Sequence, residues 1–444
     1  MLAVSQARIF MDSGKIFRIG FLGMGTVAQG VWKHLQANRD IMKQRLGGEF
    51  ELAKACVRDI SKRRAVEIPE SKLTLDPYEI INDPSIDIVC ELMGGTGKAL
   101  ELTLAALRAG KVVVSANKAV ICSHGAEIFA EARKGGGAYF FEASVAGGIP
   151  IIKVLREGLI ANRFSLIYGI LNGTCNYILT RMERENATYE AILKDARRLG
   201  YVEADESLDI DGWDAAHKIA ILAYLAHGCW IGTDKMLVSG IRGIRLEDMI
   251  WARDFNCRVK LIAAIRKLEN GALFASVYPA LLPLTDVVAN VNEVYNAVSL
   301  SGDVVGRTVH IGRGAGQDAT ASAVIADISD ALKYLLGAPA QMTFPDLDEP
   351  RMATLDEVDG DFYLRFEVED KAGVLATIAS VLAKEDISIK LLQQRKHDSS
   401  GKAWIVMTTH KTTEGAIKKA CESLSNLPVV SSEPFVIRIF DSQA

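Results

Sequence analysis

The stretch KIFRIGFLGMGTVAQGVWKHL, Lys15 to Leu35, decides the fold. An apolar run from Ile16 to Leu22 enters Gly23-Met-Gly25-Thr26-Val27 and leaves as a helical pattern. Glycines permit the tight turn. They also let backbone N–H groups approach a pyrophosphate at the helix N-terminus, where unpaired donors and the helix dipole favour an anion. The dinucleotide fingerprint is GxGxxG. Here Gly20, Gly23, Gly25 and Gly30 give GxxGxG, with Ala28 near the third position. The strand before the loop and the helix after it separate this reading from a structural turn in some other α/β protein.

Strands and helices alternate beyond it. Glu51 to Arg58, Ile86 to Glu91, Lys111 to Ser115 and Ala138 to Glu142 read as strands, and Leu100 to Ala109 as a helix. Such alternation implies a doubly wound parallel sheet with its ligand edge at the carboxyl ends of the strands. That edge holds Gly23 to Val27, Arg58, Gly94 to Thr96 and Ser115 to Lys118. A Rossmann-like domain over 15–143 follows. Residues 144–345 change character, with short glycine loops, a long helical zone from Tyr177 to about Gly228, and a mixed α+β region. Near its end Gly312-Arg-Gly314-Ala-Gly316 feeds an alanine-rich helix. This stretch, within 305–335, either returns to the cofactor or is only a turn. A linker over 346–360 leads to a tail, 361–444, ordered strand, helix, strand, strand, helix, strand, the ferredoxin-like arrangement.

Composition narrows the function. Hydrophobic residues are 49% and charged residues 24%, an ordinary globular balance. With 51 basic against 55 acidic residues the net charge is −4, so nothing favours nucleic acid or an anionic membrane as partner. Seven dispersed cysteines without a CxxC pair suit a reduced, cytoplasmic protein, and no Cys/His spacing points to zinc. The most apolar stretch, Ile219 to Trp230, contains His227 and is shorter than the roughly 20 residues of a membrane span. Residues 1–14 read as a floppy extension rather than a signal peptide.

The sharpest chemistry lies in Gly200-Tyr-Val-Glu203-Ala-Asp205-Glu-Ser-Leu-Asp209-Ile-Asp211-Gly-Trp-Asp214-Ala-Ala-His-Lys218. Asp211 suits a helix N-cap, which puts Asp214 in the first turn and Lys218 on the same face, four residues on. A capped helix with one surface salt bridge would explain part of this. The acids exceed what capping needs, however, and Lys218 opens the apolar run IAILAYLA. A lysine held by a carboxylate can exchange a proton with a substrate hydroxyl. Spare carboxylates can grip an ammonium group. A zwitterionic substrate beside a dinucleotide is expected. His217 points about 100° away on such a helix and reads as structural. Cys175 reads as a packed thiol.

The chain resembles the homoserine dehydrogenases. The motifs are Gly23-Met-Gly25-Thr26-Val27, Glu91-Leu-Met-Gly-Gly-Thr96, Ser115-Ala-Asn-Lys118, Glu142-Ala-Ser-Val145-Ala-Gly147-Gly-Ile149-Pro, Gly169-Ile-Leu-Asn-Gly173-Thr174-Cys-Asn-Tyr and the block from Glu203 to Lys218. The tail resembles an ACT domain through Asp370-Lys-Ala-Gly373-Val-Leu. The resemblance implies NAD(P)-dependent interconversion of L-homoserine and L-aspartate 4-semialdehyde. It makes Lys218 the acid/base and Asp214 its partner. Glu203 and Asp209 would hold the substrate, Glu203 at the amino group, and backbone at Gly173 and Thr174 would take the carboxylate. Lys118 would lie between cofactor and substrate. Gly23, Gly25, Thr26, Val27, Thr96, Ser115 and Gly316 would meet the cofactor. Sodium would bind Glu142 and the carbonyls of Val145, Gly147 and Ile149. The resemblance also implies a substrate-binding and dimerisation role for 144–345, ACT sheets paired side by side in a homo-oligomer (dimer or tetramer), and an amino-acid effector, threonine foremost.

Arg58, with Lys62, Arg63 and Arg64 close behind, tilts the cofactor to NADP, because an arginine can meet a 2′-phosphate. NAD stays open, and a solvated charge run accounts for Arg63 and Arg64. Two other functions compete. A 2-hydroxy-acid dehydrogenase with an ACT tail would use a catalytic histidine. A non-catalytic amino-acid sensor would have no use for a lysine among carboxylates beside a dinucleotide loop.

Overall fold

The computed structural model describes residues 16–46, 48–135, 137–198, 206–337, 349–397 and 401–442. A six-stranded parallel sheet comes first. Its strands are β1 (Ile16–Leu22), β2 (Glu49–Cys56), β3 (Leu73–Thr74), β4 (Ile88–Glu91), β5 (Val112–Ser115) and β6 (Ala138–Phe140). Their spatial order is β3-β2-β1-β4-β5-β6. Strand order reverses between β1 and β4, which opens the crevice where dinucleotides bind in such sheets. Among the helices that flank it are α1 (Thr26–Ala37), α2 (Gly97–Arg108) and α3 (Lys118–Gly135). The strand residues Ile19, Phe21, Val89 and Val113 are fully buried, as a sheet covered on both faces requires.

The expected long helical zone is several helices: α4 (Gly173–Glu185), α5 (Tyr189–Arg198) and α6 (Trp213–His227), with a short turn at Ser207–Ile210. Asn186 ends α4 in the left-handed region, at φ 52°. Asp211 is not the N-cap of α6. Gly212 takes that place at φ 90°, and Asp211 instead pairs with Arg242. A glycine is needed there because a side chain at positive φ would be strained.

The second sheet holds β7 (Phe164–Ile170), β8 (Leu237–Val238), β9 (Cys257–Lys267), β10 (Leu273–Pro283), β11 (Tyr295–Gly302) and β12 (Gly306–Arg313). β12 stays with this sheet. The return to the first sheet is made by α7 (Gln317–Leu335) alone, whose Ala321, Val324 and Ile328 share a core with β1, β4 and β5. Gly30 of α1 makes this possible, since a Cβ there would stand 2.7 Å from the Gln317 side chain.

The tail supplies β13 (Asp359–Glu369), α8 (Val374–Lys384), β14 (Ile389–His397), β15 (Lys402–Thr409), β16 (Thr412–Thr413), α9 (Glu414–Ser425) and β17 (Phe435–Ile439). The apolar pattern from Val429 to Phe440 predicts a longer last strand, and β17 starts six residues later, at Phe435. Its sheet is not separate from the one before it. β17 lies parallel to β10, with Ala280 beside Arg438 and Leu281 beside Ile439, so the strands run β12-β11-β7-β9-β10-β17-β13-β15-β14. One edge of the tail sheet is therefore taken by the same chain. Side-by-side pairing with another copy could use only the β14 edge.

A buried ion pair fastens the seam. Arg365 of β13 donates to Asp248 at 2.6 and 3.2 Å, and the Tyr363 hydroxyl donates to the same carboxylate at 2.7 Å. The side chains of Arg365 and Asp248 are 5% and 0% exposed. Removing one member would strand the other charge, at a cost of about 3–5 kcal/mol. Arg365→Met should therefore lower the denaturant midpoint by that amount of stability. A loss below about 1 kcal/mol would show that water reaches the seam.

Candidate active site

A cavity of about 790 Å³ lies where the two sheets meet. Its wall is built from elements on both sides: Val27 of α1, Lys118 of α3 and Ala143 after β6, facing Asn172 after β7 and Asp214 and Lys218 of α6. Asp214 is the hub. Lys218 Nζ donates to its Oδ2 at 2.7 Å, Lys118 Nζ stands 3.2 Å from its Oδ1, and Asn172 Nδ2 donates to Oδ2 at 2.8 Å. Burial alone would raise this carboxyl, but the two ammonium groups outweigh it and hold Asp214 well below the usual carboxylate range. Lys218 also donates to the Leu171 carbonyl at 2.7 Å, so two of its three protons are committed and the third is free to face the cavity.

Asp209 lies beside this hub, bonded by Asn172 Nδ2 at 2.7 Å. Burial, and then the neighbouring Asp214 charge, push its carboxyl up. Asn172 is the residue that sequence reasoning passed over. Its side chain caps α4 by accepting from Cys175 N–H at 2.8 Å, while its amide bridges Asp209 and Asp214. The signal was an asparagine directly before Gly173-Thr174, a good N-cap residue. Gly173 and Thr174 open α4, and both line the cavity. The Cys175 thiol is buried against the Asp209 carbonyl and pushed well above its ordinary value, so it is no nucleophile. Glu203 lies outside the described residues.

The dinucleotide edge is open. Gly23 sits at φ 95°, where a Cβ would stand 3.0 Å from the Leu92 carbonyl. Gly25 begins α1 with no side-chain cap, no acid follows in the first turn, and a Cβ on Gly25 would meet nothing within 4 Å. Gly25 and Thr26 are exposed, as is Thr96 at the start of α2. These bare N–H groups and the space over them fit a pyrophosphate. Gly316, at φ 110°, begins α7 across the cavity from this turn. The Ser115 side chain does not reach the cavity. It is fully buried, donates to Glu91 at 2.7 Å and accepts from Asn117 N–H, so it sets the loop that carries Lys118. Arg58 is exposed at the end of β2. Arg64 is not simply solvated: its guanidinium donates to the Asp59 and Lys62 carbonyls and folds the loop after β2.

Glu142 is 2% exposed, and its carboxylate accepts from Ile152 N–H at 2.9 Å and Lys153 N–H at 2.8 Å. Burial pushes it up to about 7. The loop after it turns through Ala146 at φ 55° and Gly147 at φ 50°, packed against Gly314.

Three family models match in succession. They are the homoserine dehydrogenase NAD-binding domain over residues 23–142, homoserine dehydrogenase over 150–329 and the ACT domain over 362–428. The homoserine dehydrogenase of Neisseria gonorrhoeae is 40% identical over 437 residues, covering 96% of this chain and 99% of that one. The chain belongs to the homoserine dehydrogenase family. A crystal structure of a homoserine dehydrogenase from Thiobacillus denitrificans superposes with a TM-score of 0.90 at 38% identity, over 96% of this chain and 99% of that one. A hyperthermophilic archaeal homoserine dehydrogenase in complex with NADPH superposes with a TM-score of 0.62 at 27% identity, over 74% of this chain and 100% of that one. The enzyme is thus an NAD(P)-dependent oxidoreductase of amino-acid biosynthesis with a Rossmann-like domain, a catalytic domain and an ACT domain. Among the described residues no helix is long and apolar enough to cross a membrane.

Proposed function

We propose that the cavity around Asp214 interconverts L-homoserine and L-aspartate 4-semialdehyde. The single observation that carries this is one buried carboxylate shared by Lys118, which opens α3 beside the first sheet, and Lys218 of α6. In the reductive direction Lys218 gives a proton to the aldehyde oxygen, and Asp214 holds the ammonium in place. In the oxidative direction the same amine takes the hydroxyl proton. The nicotinamide supplies or accepts the hydride when bound. Lys118 places a second positive charge where oxygen gains negative charge, which is electrostatic stabilisation prepared in advance. The N–H groups that open α4 at Gly173 and Thr174 take the substrate carboxylate. Asp209 and Glu203 take the ammonium.

The dinucleotide lies on Gly23, Gly25, Thr26 and Val27, with Thr96 and Gly316 beside it and Ser115 acting through its loop. Arg58 meets a 2′-phosphate and tilts the choice to NADP over NAD. A sodium ion fits the carboxylate of Glu142 and the carbonyls of Val145, Gly147 and Ile149. All are hard oxygen donors, the left-handed turn at Ala146 and Gly147 bunches the backbone there, and a cation would restore the charge that burial disfavours. Residues 15–143, 144–345 and 361–444 act as the cofactor, catalytic and regulatory parts in the reduced cytoplasm, with α7 within 305–335 returning to the first. A homo-oligomer is supported by β12, an edge strand with Ile311 51% exposed and with Val304, in the turn that leads into it, 71% exposed. Edges of this kind are normally covered.

Lys218→Ala should lower kcat by about 10²–10⁴-fold while leaving cofactor binding nearly intact, as loss of a general acid/base does. Stopped-flow and steady-state absorbance at 340 nm measure both. A loss under about tenfold would refute the assignment.

Arg58→Ala should raise KM for NADP roughly ten- to a hundredfold more than for NAD, the effect of one lost charge-assisted bond. Equal changes for the two cofactors would show that Arg58 does not read the 2′-phosphate.

Threonine bound at the ACT turn should inhibit about five- to 150-fold at saturation, the usual range of allosteric coupling. Gly373 is at φ 88° and begins α8, so Gly373→Asp strains the turn and adds like charge to the ligand carboxylate. Full-length Gly373→Asp should keep activity and lose the inhibition. It is a cleaner test than a chain cut at Pro350, which would also uncover β10. A threonine titration of the intact enzyme that shows no inhibition overturns this effector.

A further inference from the structure

Lys260 is the most deeply buried cation that the chemistry above leaves unused. It lies on β9, 1% exposed. A buried ammonium normally has a carboxylate beside it. Here its three protons go to neutral oxygens: the Val291 carbonyl at 2.7 Å, Asn176 Oδ1 at 3.0 Å and Asn292 Oδ1 at 3.1 Å. The nearest acids, Glu183 and Glu293, are each paired with an arginine, Arg258 and Arg184. Burial accordingly pulls the amine down to about 7. Such a residue is costly to stability, so it must hold something that an apolar side chain could not.

What it holds is the segment 291–296. Asn176, in the first turns of α4, donates to the Val291 carbonyl at 3.2 Å and to the Tyr295 carbonyl at 3.1 Å. Thr180 Oγ1 accepts from Glu293 N–H at 3.1 Å, and Glu293 sits in the left-handed region at φ 59°. A non-glycine residue is kept there only where its surroundings fix it. The far end of the segment reaches the site. Val294 lines the cavity, and its carbonyl would stand 2.9 Å from a Cβ on Gly173. Asn296 is fully buried and donates to the Leu171 carbonyl at 3.1 Å, the same oxygen that Lys218 uses.

We infer that Lys260 is a positioning residue, which locks the 291–296 wall to the start of α4 and so fixes the substrate end of the cavity. It touches neither substrate nor cofactor. The inference rests on the cavity being the substrate pocket. Failure of that reading would show separately, as Lys218→Ala retaining turnover.

The test is Lys260→Met in the full chain, which keeps most of the volume and takes the ammonium donor from Asn176 Oδ1, Asn292 Oδ1 and the Val291 carbonyl, the last of which keeps only the Asn176 amide. The homoserine KM should rise roughly 10- to 100-fold, as small misplacements at a site do. KM for the dinucleotide should stay within twofold. Asn292→Ala should raise the homoserine KM by a smaller factor, and should add nothing in the double variant, because its effect passes through Lys260. Thermal melts report folding. A folded Lys260→Met enzyme with homoserine KM within twofold of the parent overturns the inference, since a merely structural lysine would lower only the melting temperature. Equal rises in both KM values overturn it as well. If Lys260→Met does not fold, Asn292→Ala decides: a homoserine KM within twofold of the parent overturns the inference, and a selective rise supports it.

Discussion

One carboxylate holds the catalytic centre together. Asp214 is buried, carries its charge because two lysines face it, and takes those lysines from different helices, α3 and its own α6. Neither lysine could remain so close to the other without it, since two ammonium groups a few ångströms apart repel. The cavity between the sheets is therefore an electrostatic structure as much as a steric one. Asn172 completes it by spending both amide protons on Asp209 and Asp214 while its oxygen starts the helix that carries Gly173 and Thr174. A single polar residue thereby ties the acidic pair to the opening of α4.

The parts legible in the sequence were those governed by local rules. The β1 strand, the Gly23 to Val27 turn and the i to i+4 relation of Asp214 and Lys218 each follow from a short stretch of chain. The ferredoxin-like order of the tail followed from alternating patterns of ordinary length. What stayed hidden depended on contacts between distant residues. Lys118 reaches Asp214 across almost a hundred positions, and no spacing rule connects them. Lys260 has no local signature in the strand CRVKLIAAIRK, because its acceptors come from two other segments. Asp211 suits a cap by type, yet Gly212 takes the cap position in the left-handed region with no side-chain bond, and the Asp211 carboxylate goes to Arg242. Ser115 carries a motif position yet is fully buried. A motif marks which loop matters, not which of its atoms faces the ligand.

The tail is more closely joined to the catalytic part than a linker with prolines suggests. The Arg365–Asp248 pair, the Tyr363 hydroxyl and the β10–β17 strand pairing cross one seam. A change of shape in the tail sheet would move β10, and with it β9, which carries Lys260. The two-part division into enzyme and regulator is a division of roles. Physically, the two parts share one sheet.

That sharing has a consequence for how the protein is made. The strand that covers this end of β10 is the last among the described residues: Ile439 pairs with Leu281, more than 150 residues before it in sequence. Leu237 and Val238 of β8 pair with Ser276 and Val277 on the same side, so it is the Ala280–Leu281 end that waits, on the order of ten to thirty seconds at about 5–20 residues per second, before its partner exists. An unpaired edge of a largely apolar strand is a template for pairing with other nascent chains. A chain that loses only its final strand would therefore differ from the complete protein less in catalytic equipment than in whether it reaches the folded state at all.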